Sequence, residues 1–492
     1  MISSELSEST EFEPSADPAD APGLSESAQP AESAAKPQRG RKSGRRQPSR
    51  RRNSRKKIQH ALRFRENGTL RVLQLADVQD GPDVDSDTVA LIERAVIAAD
   101  PDLVVLTGDQ VRGYDAAYAP TFMARRGDEP GARLPLPMRV EQLLAECNGP
   151  AGRIDDAIAD GGESMAGTRA KIRHSFSQFL GPIVSRGIPF AATYGNHDFQ
   201  CGILPDEQDD MYREFAGCLN PKVEDGAASA AGPLACEPGT FALPIASHDG
   251  KRTAMSIMMV NSGDFEPGGG YGSPSDAAVE WLASAEDAVS GTGPRVPAIV
   301  FQHIPPQDFY QCLKKASPFT PYAVEGYRAF SDSCYVINSE VCRPGSTLGE
   351  GPCCSERAVG EVERIRSSGG YFALFCGHDH KNNFIGHIDG VDLGYAPTCG
   401  FRSYGPKAAD RALRLFVFQE DKPEQYETRL LTYGDLVSRR VRHPLRLLAG
   451  EYMISGPSSV RDLLRRPKIF IGMCLVAAQT LFTLIGRRSS PK

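Results

Sequence analysis

An α/β fold is what this sequence predicts, on three observations. Short apolar runs recur along the chain and end on acids, amides or imidazoles. A helical pattern separates the first two runs, which makes a β-α-β unit. The 492 residues, 40% hydrophobic and 24% charged, also supply enough apolar side chains for a large core.

The first 57 residues stand outside that pattern. Residues 1–35 hold eight acids and no base, and residues 36–57 hold twelve Lys or Arg and no acid. Too few large apolar side chains are present to offset the entropy of ordering them, so a disordered tail is expected over 1–57. Arg39–Lys57 reads as a solvated tail, with attraction to RNA, DNA or anionic lipid as the alternatives. It carries no aromatic residue on which a base could stack. Because the whole chain has a net charge of −6, residues 58–492 carry about −10. That balance suits divalent cations and argues against a broad nucleic-acid surface. No apolar run follows the N-terminal arginines, so neither a secretory nor a twin-arginine signal is read there. The expected compartment is the cytoplasm, with the twelve cysteines as reduced thiols.

A catalytic domain is expected over 58–435. Leu70–Ala76 reads as a buried strand with Asp77 at its tip, and Asp87 as the cap of a helix whose Val89, Ile92 and Val96 share one face. Asp100-Pro101 stops that helix, and Leu103–Leu106 forms a second strand ending at Gly108-Asp109. Such strand ends are where open α/β sheets bind ligands. Residues 113–167, rich in Gly, Pro, Ala and Arg, read as an irregular insertion. Arg169–Arg186 predicts an amphipathic helix, and Ile188–Thr193 a strand running into Gly195-Asn196-His197-Asp198. A strand at Thr253–Val260, a helix at Ser275–Ala288 with Trp281 in the core, and a strand at Ala298–Phe301 before His303 come next.

A second insertion, Gln307–Ser355, holds Cys312, Cys334, Cys342, Cys353 and Cys354 without a C-x-x-C pair, which speaks against structural zinc. Tyr371–Cys376 leads into Gly377-His378-Asp379-His380, and Asp389-Gly390 predicts a hairpin between Phe384–Ile388 and Val391–Gly394. Leu413–Phe418 is expected to close a second sheet. In 436–492, Ile469–Ile485 is apolar apart from Gln479, Thr480 and Thr483, and its seventeen residues would span roughly 25 Å as a helix. It reads as a membrane anchor, or as a helix docked on the protein or lying in the membrane interface. The basic residues upstream would keep the catalytic body on the cytoplasmic face.

Five segments carry the chemistry: Asp77-Val78-Gln79, Gly108-Asp109, Gly195-Asn196-His197-Asp198, Gln302-His303 and Gly377-His378-Asp379-His380. They contain four of the nine histidines, and their oxygen and imidazole donors suit a pair of cations. Such a pair neutralises phosphoryl oxygens and lowers the pKa of a bridging water. The hydroxide then attacks phosphorus in line with the leaving group, with no Cys or Ser nucleophile.

In order and chemistry these segments resemble the calcineurin-like metallophosphoesterase superfamily, whose pattern is D-x-H, G-D, G-N-H-D or E, H, then G-H-x-H. The resemblance covers roughly residues 68–420. It implies an α/β/β/α sandwich of two packed mixed β-sheets flanked by helices. It further implies two divalent metal ions (Mn, Fe, Zn or Mg) bridged by Asp109. Asp77, Gln79 and His380 would complete one position, and Asn196, His303 and His378 the other. His197 would stay free of metal and face the ester, with Asp198 orienting its ring. The function this favours is hydrolysis of a phosphomonoester in a small phosphorylated substrate. The alternatives are a phosphodiesterase acting on nucleotides or other diesters, a membrane-attached non-catalytic scaffold, and a nucleic-acid-binding protein.

Departures from the pattern carry expectations of their own. Gln79 stands where the family has His, and an amide oxygen is a weaker ligand that favours harder ions such as Mn²⁺ or Mg²⁺ over Zn²⁺. Arg112 lies three residues after Asp109, where purple acid phosphatases have Tyr, so no tyrosinate-to-iron colour is expected. The G-D-x-V-D-R-G and G-N-H-E of Ser/Thr protein phosphatases are absent. Leu73-Gln74-Leu75-Ala76-Asp77 and Phe301-Gln302-His303-Ile304-Pro305 are most similar to the family's intracellular branch. Arg402 and Tyr404 are candidates to reach a substrate phosphate, whereas His174, His248 and His387 fit no motif and are expected to be structural or exposed.

Overall fold

The computed structural model describes residues 62–131, 133–136, 138–139, 165–223, 234–437, 440–451 and 457–467, with single positions at 469, 471 and 475. The tail over 1–57, much of the first insertion and nearly all of 469–485 lie outside the described residues. Among the described residues, no helix is long and apolar enough to cross a membrane.

Two mixed sheets make the body. The smaller runs edge to edge through Glu427–Thr432, Ala412–Gln419, Thr69–Leu75, Leu103–Thr107 and Phe190–Thr193, the last three parallel. The larger runs Leu62–Arg63, Thr240–Ala246, Thr253–Met259, Ala298–Phe301, Tyr371–Cys376, Val391–Tyr395 and Ile385–Ile388, with Ala235–Glu237 paired to Thr240–Ala246. Strand alternation explains how they pack. Leu70, Val72, Leu103 and Val105 point inward and meet Ile257, Ile299, Phe301 and Phe375 of the other sheet. Leu73, Leu75, Val104 and Leu106 point outward, against helices Ser86–Ala99 and Met165–Val184. Helices Asp276–Ser290 and Glu361–Ser368 cover the outer face of the larger sheet, and Trp281 is buried there. The layers are therefore α/β/β/α, as the family resemblance implied.

Local readings differ at several points. Asp85, not Asp87, caps the first helix, its carboxylate accepting from the Asp87 N–H at 2.9 Å. The Asp87 side chain instead accepts the Tyr433 hydroxyl at 2.9 Å. The second insertion, for which no strands were expected, carries a small antiparallel sheet of Leu313–Ala316, Val324–Glu325 and Cys334–Ile337. Its five cysteines are free thiols. The predicted hairpin at Asp389-Gly390 is present, with Ile388 opposite Val391.

Candidate active site

Strand direction puts the chemistry on one edge. Thr69–Leu75, Leu103–Thr107 and Phe190–Thr193 run in parallel, so Asp77, Asp109 and Asn196-His197 leave the sheet from the same end. Ala298–Phe301 and Tyr371–Cys376, also parallel, deliver His303 and His378–His380. The turns there are tight enough to force unusual backbone. Asp77, Gln79, Asp109 and His378 all have positive φ, at 54°, 40°, 50° and 72°. Side chains other than Gly rarely adopt that region, and such conformations gather at functional sites. Gly195 permits a close approach, since a Cβ there would sit 2.2 Å from Asp109 Oδ1.

The predicted ligands converge. Ligand atoms of Asp77, Asp109 and His303 lie within 4.8 Å of one another. His380 Nε2 stands 3.4 Å from Asp77 Oδ1, and Gln79 Nε2 stands 3.3 Å from Asp109 Oδ2. Asn196 Oδ1 and His378 Nδ1 are each 3.2 Å from His303 Nε2.

The hydrogen bonds around His303 show what this cluster needs. Its Nδ1 donates to the Thr107 carbonyl at 2.9 Å, so a neutral ring presents the Nε2 lone pair inward. That lone pair faces Asn196 Oδ1 at 3.2 Å and Asp109 Oδ2 at 3.3 Å, both acceptors. His380 repeats the arrangement, with Nδ1 on the Tyr404 carbonyl at 2.7 Å and Nε2 toward Asp77. Acceptors facing acceptors in a buried site require a positive charge between them, either a proton or a cation. Gln79 Oε1 and His378 Nε2 are buried as well and have no hydrogen-bond partner among the described residues. These donor atoms fit metal ions.

The same pressure appears in the proton affinities. Burial alone would lower the pKa of His303, but the adjacent Asp109 and Asp77 charges raise it to about 9. Burial would raise that of Asp109, and the charges of His303 and His197 hold it below the usual carboxylate range. Burial and the neighbouring His303 push His378 well below the ordinary imidazole value.

His197 sits beside this cluster, but its ring is not held by Asp198. The Asp198 carboxylate accepts the backbone N–H groups of Asp109, Gln110, Val111 and Gly195 at 2.7–2.8 Å. It clasps the two ligand loops together. The His197 ring is held by Gln200, whose Oε1 takes Nδ1 at 2.7 Å while its Nε2 donates to the Ala124 carbonyl at 3.4 Å. The sequence reading missed Gln200. A signal was available, because the 3₁₀ turn Asp198–Cys201 brings positions i and i+3 onto one side.

Of the remaining candidates, the Tyr404 ring stacks on His380 at 4.2 Å. Arg402 is drawn to Asp80 at 3.3 Å and Asp115 at 3.8 Å. His174, His248 and His387 lie at the surface, paired with Asp83, Glu420 and Asp392.

A sandwich of two mixed sheets, gathering carboxylates, amides and imidazoles at its strand tips, defines the metal-dependent phosphoesterase class. The chain belongs to the calcineurin-like phosphoesterase family, whose sequence model matches residues 70–382. Two similar proteins from Arabidopsis thaliana carry the names "Probable inactive purple acid phosphatase 28" and "Probable inactive purple acid phosphatase 14". The first is 23% identical, covering 72% of this chain and 76% of its own. The second is 22% identical, covering 73% and 78%. A solved dimetal phosphatase from Danio rerio is 9% identical and covers 74% of this chain and 99% of its own, with a TM-score of 0.37.

Proposed function

We propose that this protein hydrolyses a phosphomonoester with the help of two divalent cations. The observation that carries the reading is the His303 Nε2 lone pair set against Asn196 Oδ1 at 3.2 Å and Asp109 Oδ2 at 3.3 Å. Cations held by Asp77, Gln79, Asp109, Asn196, His303, His378 and His380 would supply charge neutralisation at the phosphoryl oxygens and an acidified water. The protein's own groups do the rest. The Thr107 and Tyr404 carbonyls fix the tautomers of His303 and His380. Gln200 accepts Nδ1–H of His197 and so fixes the ring; in its doubly protonated form the ring can give its Nε2 proton to the departing oxygen and is left as the neutral Nδ1–H tautomer.

Lys381 favours a monoester. Its Nζ lies 5.1 Å over the ring of Tyr404, the residue that stacks on His380, and makes no ion pair among the described residues. A monoester carries close to two negative charges at neutral pH, so it gains more from that ammonium than a diester does.

Gln79 is the observation behind the scaffold reading, since a weaker ligand at one position is how a metal site begins to decay. The converged carboxylates and the positioned His197 weigh against it. Turnover of p-nitrophenyl phosphate and bis-p-nitrophenyl phosphate with Mn²⁺ tests both, with Asp109→Ala and His197→Ala as controls. The expected result is faster turnover of the monoester, well above both variants. Faster turnover of the diester overturns the monoester reading. Wild-type rates no greater than the variants' on either ester leave the scaffold.

A further inference from the structure

We infer that the hairpin 263–273, together with Tyr114, forms an aromatic subsite that selects phosphate esters with a planar aromatic leaving group. The inference rests on the phosphoesterase reading and adds the substrate class. Phe265 and Tyr271 face each other across an antiparallel bridge, their rings 5.9 Å apart. The tip closes through Glu266 N–H to the Gly270 carbonyl at 3.1 Å, where Gly269 and Gly270 take φ of 91° and 92°. Arg125 pins it by donating to the Glu266 carbonyl at 2.6 Å, and the Arg328 guanidinium lies 3.3 Å from where a Gly270 Cβ would be.

Pinned there, the rings stand on the reactive imidazoles. Tyr271 meets His378 edge-on at 4.2 Å, Phe265 lies 6.3 Å from His197, and Tyr114 meets His197 at 4.6 Å. All three aromatic residues remain partly exposed, although the ligands beneath them are buried. A group leaving past His197 therefore meets apolar, planar surface. Binding energy gained there from the non-reacting part of a substrate contributes to catalysis. A polyanionic substrate fits less well, because the arginines nearby are already engaged: Arg328 with Glu356 at 2.9 Å, Arg402 with Asp80 at 3.3 Å, and Arg126 with Asp264 at 2.5 Å.

The test uses ligands that cannot be hydrolysed. The full chain, loaded with Mn²⁺, is titrated calorimetrically with phenylphosphonate, cyclohexylphosphonate and methylphosphonate. Phenylphosphonate is expected to bind about fivefold more tightly than its saturated counterpart. Phe265→Leu and Tyr271→Leu are each expected to bring that ratio within about twofold of unity while methylphosphonate still binds. Equal affinities in the wild type overturn the inference, as does an undiminished preference in both variants. So does silence toward all three phosphonates. A planar preference in a protein that hydrolyses no ester supports the subsite while removing the phosphoesterase reading.

Discussion

The Gln200 amide holds the His197 ring, with Oε1 accepting from Nδ1 at 2.7 Å, and the Asp198 carboxylate is engaged elsewhere. A neutral amide fixes the tautomer of the ring without adding negative charge beside it. Gln200→Ala is expected to lower kcat on p-nitrophenyl phosphate by about tenfold or more, with KM little changed. Gln200→Glu keeps an acceptor at Nδ1 and is expected to recover most of that loss. Steady-state kinetics that find kcat intact in Gln200→Ala would count against a working role for His197.

Asp198 has a mechanical role instead. Four backbone N–H groups from two ligand loops end on its two oxygens. In Asp198→Asn one oxygen becomes an NH₂ that faces donors, leaving buried N–H groups unsatisfied. The expected cost is about 3 kcal/mol of folding stability in urea titrations. A loss below about 0.5 kcal/mol would mean that the clasp contributes nothing measurable.

Glu361 sets a pH dependence of stability. It is 2% exposed, and burial lifts its carboxyl from the ordinary 4.5 to about 8, against a hydrogen bond from Gln302. Between those values the folded protein holds a proton that the unfolded chain has released. Stability from this group is therefore full below about 4.5 and is lost as pH rises toward about 8. Glu361→Gln is expected to flatten the fall in Tm between about pH 5 and pH 8. Parallel Tm profiles for the two proteins would contradict this assignment.

Gln79 bears on metal choice. Its buried Oε1 is a neutral oxygen donor where an imidazole would suit zinc better. Elemental analysis after zinc exposure is expected to find less than a full pair in the wild type and a fuller one in Gln79→His. Full zinc pairs in both proteins would remove the preference for harder ions.

Much of the site was legible in the sequence because ligands for a cation pair must be hard donors placed at strand ends, and strand ends show as the limits of apolar runs. Asp77, Asp109, Asn196, His303, His378 and His380 all stand at such limits. What escaped depends on contacts that no periodicity encodes. Strand Thr240–Ala246 contains Pro244, which reads against a strand and is tolerated where the register shifts nearby. Glu427–Thr432 is an edge strand with polar residues on its exposed face, so it shows no apolar run. The cap at Asp85 competed with an acid two residues later, and only the hydrogen bond separates them. The aromatic hairpin lies in a Gly-rich stretch that reads as loop, and its two rings meet only through pairing across the turn.

Cation stoichiometry tests the central claim most directly. Calorimetric titration of Mn²⁺ into the metal-stripped protein, followed by the p-nitrophenyl phosphate rate at each addition, is expected to show two equivalents bound and turnover rising with the second. Asp109→Ala is expected to bind at most one equivalent and to stay inactive. Full hydrolysis by the wild type with one equivalent or none, or an unchanged stoichiometry in Asp109→Ala, would contradict a dinuclear centre at these strand tips.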